Sequence, residues 1–253
     1  ENLYLTAGVR YDDNEDFGTH TTYRLSGAYL LRVGQGEIKL KGAYGTGFRA
    51  PSLYEINYNE AGFPPASEVD LEAEESEGYD IGLVWATDYG LYLEATYFDQ
   101  DIDNEIYFDL DFFSGYLQGQ GESESKGVEL VALAPLGLGF SLSGNYTYND
   151  TSDFAGEQRA RRPEQLLNLG LKWATAEERF MLGFNVRGAY DAVSTTGDAL
   201  DDYEVIDLSA DWRVIKGLHL FGRVENLTDE DYAEVGGFNT AGTAGYLGAR
   251  YSF

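Results

Sequence analysis

The amino-acid sequence predicts an all-β protein and, within that class, an antiparallel transmembrane β-barrel with about 12 strands. Three observations predict this fold. Apolar and polar residues alternate over segments of about ten or more residues, tyrosines lie towards the ends of these segments, and short connections alternate with long ones.

The alternation has a period of two residues. In the segment 20–33, Tyr23, Leu25 and Leu31 fall on one face, whereas Arg24 and Arg32 fall on the other. This period is typical of a β-strand, in which successive side chains point to opposite faces. The same period occurs over residues 38–44, 138–148, 180–190, 206–214 and 218–224. No segment shows a sustained helical period.

Strand length and tyrosine position favour a membrane barrel. Alternation alone is equally typical of a soluble β-sandwich. Strands in soluble proteins have about five or six residues, whereas a tilted strand that crosses a bilayer needs roughly 9 to 11. Tyrosines near the segment ends fit the aromatic belts at the membrane surfaces; they are Tyr23, Tyr44, Tyr97, Tyr148 and Tyr190.

The lengths of the connections predict which ends of the strands face each side of the membrane. Short ones cover residues 34–36, 87–89, 134–137, 175–177 and 215–217, and long ones cover 12–19, 49–76, 149–164, 191–202 and 228–241. The alternation is complete if residues 91–109 form one long strand that projects beyond the membrane and 116–133 form its partner. Outer-membrane barrels have short periplasmic turns and long outer loops. We therefore expect residues 49–76 outside the cell and the C-terminus on the periplasmic side.

Composition excludes several classes of function. The chain has 253 residues, with 44 acidic and 17 basic side chains and a net charge of −27. Binding to nucleic acid is not expected, because phosphates are neutralised by Lys and Arg. The absence of cysteine excludes a disulfide scaffold and a thiolate zinc site. No run of about 18 apolar residues predicts a membrane-spanning helix.

Two acidic clusters fall in the predicted outer loops and strand extensions. Their members are Glu68, Asp70, Glu72, Glu74, Glu75 and Glu77 in one cluster and Asp99, Asp101, Asp103, Glu105, Asp109 and Asp111 in the other. We interpret both as solvated outer surface. Calcium binding is the alternative, because carboxylates are its preferred ligands, although neither cluster has EF-hand spacing. No other cofactor is expected.

Catalysis is not predicted. A nucleophile needs a neighbouring base, and the two histidines, His20 and His219, fall on opposite sides of the membrane in this topology. We therefore do not expect an enzyme.

Four sequence elements resemble those of TonB-dependent outer-membrane receptors. "GAYGTGFRAPSLYE" (42–55) resembles the "GxGFRAPSLxEL" element, and "SKGVELVA" (125–132) and "RRPEQLLNLGL" (161–171) follow in the family's order. "ENLTDEDYAEVGGFNTAGTAGYLGARYSF" (225–253) contains the "NLxDxxY" signature that leads into the final strand. Within it, "GGFNTAG" (236–242) is similar to the cobalamin receptor subgroup.

The resemblance implies a fold and a function. The family barrel has about 22 strands around an N-terminal plug, so residues 1–253 are expected to form a single β-barrel domain from its C-terminal part, without plug and N-terminal strands. The implied function is uptake of a scarce nutrient chelate, a cobalamin or a ferric siderophore, across the outer membrane of a Gram-negative bacterium. The implied partners are the TonB complex acting through the plug, the barrel assembly machinery, outer-membrane lipid with lipopolysaccharide, and the nutrient ligand.

The resemblance also directs attention to individual residues. Aromatic side chains in outer loops suit a corrin ring or a catechol, and the candidate ligand contacts are Tyr54, Tyr58, Phe63, Tyr107 and Phe238. In the last strand, alternating apolar residues and a terminal aromatic residue resemble the membrane-insertion signal of outer-membrane proteins; they are Leu247, Tyr251 and Phe253.

Structural roles are expected for the motif residues themselves. Arg49 is expected to pair with an acidic loop residue and Pro51 to set the exit of its strand. Asn226 and Asp229 are expected to organise an outer loop through side-chain to backbone hydrogen bonds.

Two questions stay open from the sequence. A passive porin or a self-closed small barrel is the alternative to a receptor, because charged residues on the polar face would also suit a water-filled channel. Acidic loops repel anionic chelates, which favours a neutral or zwitterionic ligand such as a cobalamin.

Overall fold

A computed structural model describes residues 2–15 and 17–253, and it is almost entirely antiparallel β-sheet. Twelve strands form one sheet in the order β1-β2-β3-β4-β5-β8-β9-β10-β11-β12-β13-β14. Their bounds are β1 Leu3–Asn14, β2 Gly18–Val33, β3 Gly36–Arg49, β4 Glu74–Thr87, β5 Tyr92–Asp103, β8 Glu122–Gly137, β9 Phe140–Ser152, β10 Gln165–Ala174, β11 Phe180–Tyr190, β12 Tyr203–Ile215, β13 Leu218–Glu225 and β14 Ala244–Tyr251. The predicted number of strands is therefore confirmed.

The sheet is an open part of a barrel. β1 and β14 are the two ends of the strand order, and in the described residues they do not pair with each other. The structure thus differs from a self-closed small barrel.

Each strand has an apolar and a polar face, set by the register. In one row across the sheet Trp85, Leu93 and Ala132 are successive partners, and the adjacent row places Glu94 opposite Val84 and Val131. On the polar face the Lys41 ammonium pairs with the Glu94 carboxylate at 2.5 Å. We infer that the apolar face contacts lipid and that the polar face lines the interior.

Aromatic rings mark both ends of the apolar face. At the end with the long connections, Tyr23 and Tyr44 have ring centroids 6.1 Å apart, and Tyr79 and Tyr97 have centroids 6.0 Å apart. At the end with the short turns, the Trp173 ring lies 6.3 Å from Phe140 and 6.2 Å from Phe180. Two such rows are the expected boundaries of a bilayer. The strands continue beyond the tyrosine row into acidic extensions.

The long loops carry structure that alternation did not predict. Residues 50–73 contain helix α1, Leu53–Glu60, and a single 3-10 turn at Ala66–Glu68. The predicted strand 91–109 is interrupted after β5, because Asn104 has a positive φ of 56°. It resumes as β6, Ile106–Phe108, which pairs with β7, Tyr116–Gln118, in a separate two-stranded sheet. No helix in the described part of the chain has the length and apolar character needed to cross a membrane.

One predicted long connection is short. β1 and β2 pair up to Asn14 and Gly18, so the connection predicted over residues 12–19 is confined to residues 15–17. Residue 16 lies outside the described residues. The polar residues of this segment belong to strands that extend beyond the membrane, which alternation cannot distinguish from loop.

Candidate functional site

Arg49, the last residue of β3, joins three segments at the loop end of the polar face. Its guanidinium donates to both carboxylate oxygens of Glu74, at 2.5 and 2.9 Å, and to those of Glu55, at 3.0 and 3.2 Å. Glu74 Oε1 also accepts the Ile106 backbone N–H at 2.7 Å. The Arg49 guanidinium therefore links β4 to helix α1 directly, and Glu74 extends this contact to the β6–β7 hairpin.

Helix α1 begins with a capping box. The Ser52 hydroxyl accepts the Glu55 N–H, and the Glu55 carboxylate accepts the Ser52 N–H at 2.6 Å and its hydroxyl at 2.8 Å. Pro51, which cannot donate to a strand ladder, is buried between β3 and this cap. Burial alone would raise the pKa of Glu55, but the hydrogen bonds from Ser52 and Arg49 outweigh it and lower that pKa.

Five aromatic rings join α1 to the hairpin. Tyr58 lies 5.7 Å from Phe108 and 5.9 Å from Tyr116 between ring centroids, and Tyr54 lies 6.2 Å from Tyr116. Phe113 completes the group, 6.1 Å from Phe108. We call these five side chains the ring cluster. Tyr54 is 65% exposed and Phe113 62%, so the cluster presents an apolar surface to water.

The next loop, residues 153–164, packs against the hairpin from the other side. The Phe154 and Tyr107 rings are 4.7 Å apart, and Gly119 must be glycine because a Cβ there would lie 2.5 Å from the Phe154 ring. Arg159 pairs with Glu105, which also accepts the hydroxyl of buried Ser123. Three outer loops therefore form one connected unit.

The last loop, residues 226–243, is held on the polar face. The buried Asn226 side chain accepts the Glu230 N–H and donates to its carbonyl, and the Asp229 carboxylate accepts the Thr243 N–H at 2.9 Å. Tyr232 is buried against Arg187, whose guanidinium donates to its hydroxyl at 2.5 Å and lies 5.3 Å from its ring. These contacts draw the loop towards the barrel interior.

Below this loop a cavity of about 950 Å³ opens on the polar face of strands β9 to β14. Charged and amide side chains line it, among them Asn185, Asp207, Asp211 and Arg223. A polar inner wall of this kind suits contact with water or with a polar domain.

Comparison with known proteins identifies the family. The sequence profile described as "TonB dependent receptor-like, beta-barrel" matches residues 1–227. The chain belongs to the TonB-dependent receptor β-barrel family. The predicted fold class is confirmed, and the chain forms part of a barrel of the Gram-negative outer membrane. The end of the sheet with the long loops is therefore extracellular.

Named relatives agree with this assignment. The vitamin B12 transporter BtuB of Vibrio cholerae is 28% identical over 258 residues, which cover 98% of this chain and 40% of the relative. BtuB of Photobacterium profundum is 29% identical, and an iron-regulated outer membrane virulence protein of V. cholerae is 26% identical. The chain thus spans about 40% of the length of these relatives. They are named as transporters or membrane proteins rather than enzymes.

Solved structures share the fold. A mutant ferric enterobactin receptor of Pseudomonas aeruginosa, in complex with enterobactin, superimposes with a TM-score of 0.80 at 23% identity, covering 100% of this chain and 43% of that one. The siderophore receptor PirA of the same species gives 0.75 at 25% identity, covering 100% and 44%. At 23% identity, the similarity to the ferric enterobactin receptor establishes the fold of this chain and not its ligand.

The five predicted ligand residues lie in different outer loops and have different contacts. Tyr54 and Tyr58 belong to the ring cluster, and Tyr107 lies on the other face of the hairpin against Phe154. Phe63 is exposed in the same loop as α1, whereas Phe238 is exposed in the last loop. Four of the five therefore belong to the connected loop unit. Their contact with a ligand stays a prediction.

Three of the four motifs of the receptor family have a physical reason in this chain. The expected pairing of Arg49 with acidic loop residues and the expected loop-organising role of Asn226 and Asp229 are both observed. Gly127 of "SKGVELVA" is required because a Cβ would lie 1.9 Å from the Tyr148 carbonyl oxygen. Sequence reasoning missed Tyr232, although it is the tyrosine of "NLxDxxY".

The proposed insertion signal lies on the apolar face of the last strand. Leu247 pairs with Gly222 and Tyr251 with Leu218. The Tyr251 and Phe253 rings meet edge to face at 5.1 Å. The placement fits a surface that another protein could bind before the strand enters lipid, and the signalling role stays a prediction.

The members of the acidic clusters have different environments, and Asp109 is buried and accepts hydrogen bonds within its own loop. Glu77, Asp101 and Glu124 are successive partners across β4, β5 and β8 and continue the apolar face outward, whereas Glu74 and Glu105 are engaged by arginines. In the described residues no group of three or more His, Asp or Glu side chains is arranged to hold a metal ion. Calcium binding stays a prediction from composition.

Proposed function

We propose that this chain forms the C-terminal part of an outer-membrane receptor that takes up a nutrient chelate, a cobalamin or a ferric siderophore. Transport is energised by the TonB complex acting on a plug inside the barrel. The observation that carries the proposal is an apolar ring cluster on a connected unit of outer loops, above a polar inner wall, in a chain of this family.

The ring cluster is suited to first capture of the ligand. Aromatic faces bind flat, partly apolar molecules through their large contact area, and exposed apolar patches on water-facing loops mark interaction sites. Tyr54, Tyr58 and Phe63 are the proposed primary contacts, with Tyr107 and Phe238 contributing from neighbouring loops. We propose transport and no catalysis.

Other partners follow from the same function. The aromatic rows support outer-membrane lipid as a partner of the wall, and we propose lipopolysaccharide around the acidic strand extensions. The barrel assembly machinery would recognise Leu247, Tyr251 and Phe253. Nucleic acid is not proposed, since the net charge is −27.

Uptake in cells tests the proposal. The native protein that carries this chain is expressed in a strain lacking its own receptors, and accumulation of labelled cyanocobalamin and of ferric enterobactin is measured with and without TonB. TonB-dependent saturable uptake of either ligand supports the proposal. Accumulation that is linear in concentration and independent of TonB would instead indicate a passive porin.

Ligand charge is tested by the same panel. The acidic outer surface favours cyanocobalamin over the anionic chelate at low ionic strength. Tight binding of ferric enterobactin at low salt, with no detectable binding of cyanocobalamin, would contradict this charge argument.

A further inference from the structure

Two outer loops are joined by side-chain amides that act like strand partners. The Asn59 amide oxygen accepts the Tyr116 N–H at 2.8 Å, and its nitrogen donates to the Tyr116 carbonyl at 2.8 Å. Gln118 repeats the pattern in the opposite direction, accepting the Glu72 N–H and donating to the Glu72 carbonyl, both at 2.9 Å. Each amide thus satisfies one residue's backbone as a neighbouring strand would.

These contacts are long-range and replace main-chain pairing. In the described residues, no backbone-to-backbone hydrogen bond joins loop 50–73 to loop 104–121. Besides the two amides, the Glu74 carboxylate accepts the Ile106 N–H. Asn59 is the most enclosed of these groups, with 5% of its surface exposed, so losing its amide leaves two backbone groups unpaired inside the unit.

The hairpin is shaped to receive Asn59. Gly115, next to Tyr116, has a φ of +143°, and a Cβ there would lie 2.5 Å from the Asn59 amide oxygen. A glycine at this position therefore admits the amide. Tyr58, the residue before Asn59, packs its ring on Phe108 and Tyr116, so the amide and the ring cluster are adjacent parts of one contact.

We infer that Asn59 is a positioning residue of the receptor's ligand site, whose amide locks α1 to the β6–β7 hairpin so that Tyr54, Tyr58 and Tyr116 present one fixed aromatic face. The inference rests on the proposed function, because it assigns the ring cluster to ligand capture. A face held before the ligand arrives avoids the entropy of ordering two loops on binding. Tyr116 is thereby added to the proposed contacts.

The first measurement needs no ligand. Hydrogen exchange is followed at the Tyr116 amide in the native protein and in Asn59→Ala. Asn57→Ala is the matched control, because Asn57 is exposed on the same helix and its side chain bonds within that helix, to the Leu53 carbonyl. We expect Tyr116 exchange to accelerate at least tenfold in Asn59→Ala and to stay unchanged in Asn57→Ala. Unchanged protection in both variants would overturn the inference.

The second measurement separates positioning from general damage. Affinities for cyanocobalamin and ferric enterobactin are measured for Asn59→Ala, Tyr58→Ala and the double variant. If Asn59 acts by holding Tyr58, its substitution weakens binding about tenfold in the wild-type background and little once Tyr58 is gone. Additive losses would overturn the inference.

The two proposals fail differently. If the unmodified protein binds neither probe, the proposed function is wrong for both ligands, and the hydrogen-exchange comparison alone decides whether Asn59 locks the loops. If the unmodified protein binds a probe and Asn59→Ala binds it equally well, uptake stands and the positioning role is refuted.

Discussion

Replacing Arg49 by alanine should weaken the outer-loop unit and reduce the loss of its stability at low pH. In the native protein, burial alone would raise the pKa of Glu74, but the hydrogen bonds from Arg49 and the Ile106 N–H outweigh burial and lower that pKa below its ordinary value of 4.5. A carboxylate with a lowered folded-state pKa stabilises the fold above its unfolded pKa. That contribution is lost as pH falls through the folded pKa.

The size of the effect follows from burial. The side chains of Glu55 and Glu74 are only 10% and 14% exposed, whereas Arg49 is 46% exposed. Breaking a buried ion pair from one side costs about 3–5 kcal/mol. Because water reaches the guanidinium, we expect about 2–3 kcal/mol here, or roughly 30- to 150-fold in a local opening equilibrium. The pKa of Glu74 then rises, while Glu55 keeps the hydrogen bonds from Ser52 that lower its own pKa, so the variant's loops should lose less stability than the native loops as the pH falls.

Hydrogen exchange of α1 and of the Ile106 amide, corrected for intrinsic rates at each pH, measures this opening. The control is Arg32→Ala, which removes an exposed ion pair with Asp88 at the opposite end of the sheet and should change local stability by less than about 1 kcal/mol. If Arg49→Ala exchanges like the native protein, or if both lose loop protection to the same degree as the pH falls, the ion-pair reasoning is wrong.

Three further substitutions test other parts of the chain. Gly127→Ala should lower the free energy of unfolding of the barrel by about 1–3 kcal/mol, seen as a lower urea midpoint, because its Cβ would overlap the Tyr148 carbonyl. Phe253→Ala should reduce the fraction of heat-modifiable, folded protein in the outer membrane if the terminal aromatic residue is part of the insertion signal. Arg187→Ala should expose the loop 226–243 to chymotrypsin, which cleaves after aromatic residues such as Tyr232 and Phe238, because it removes the cation that holds Tyr232.

Matched controls accompany these three. Gly245→Ala adds a Cβ that meets nothing within 4 Å, so it should leave the unfolding midpoint unchanged. Tyr89→Ala removes an exposed aromatic residue in a periplasmic turn, and Arg10→Ala removes an exposed arginine of β1. Equal effects from a control and its partner would show that the assigned contact is not the cause.

The wall of the barrel could be predicted from sequence because a period of two residues is a local property. Each strand alternates independently, so errors stay confined to strand ends, as at the end of β1 at Asn14 and the start of β2 at Gly18. The start of helix α1 could also have been predicted, since Ser52 and Glu55 have the spacing of a capping box. An eight-residue helix is too short to impose a helical period.

The contacts within the loop unit could not be predicted. Asn59 and Gln118 carry no pattern that distinguishes them from other loop amides, and their partners lie 57 and 46 residues away. Arg49 was expected to pair with an acid, yet the sequence offered many neighbouring carboxylates and no means to choose Glu55 and Glu74. Tertiary packing alone makes these choices.

Net charge is expected to act mainly on the encounter with the proposed ligand, at low ionic strength. Glu77, Asp101 and Glu124 are successive partners that continue the apolar side of the wall above the tyrosine row. Glu74 and Glu105 are paired with arginines inside the loop unit. The proposed capture surface consists of uncharged rings, so recognition there should depend on ring shape and contact area, while the surrounding carboxylates should govern the salt dependence of encounter.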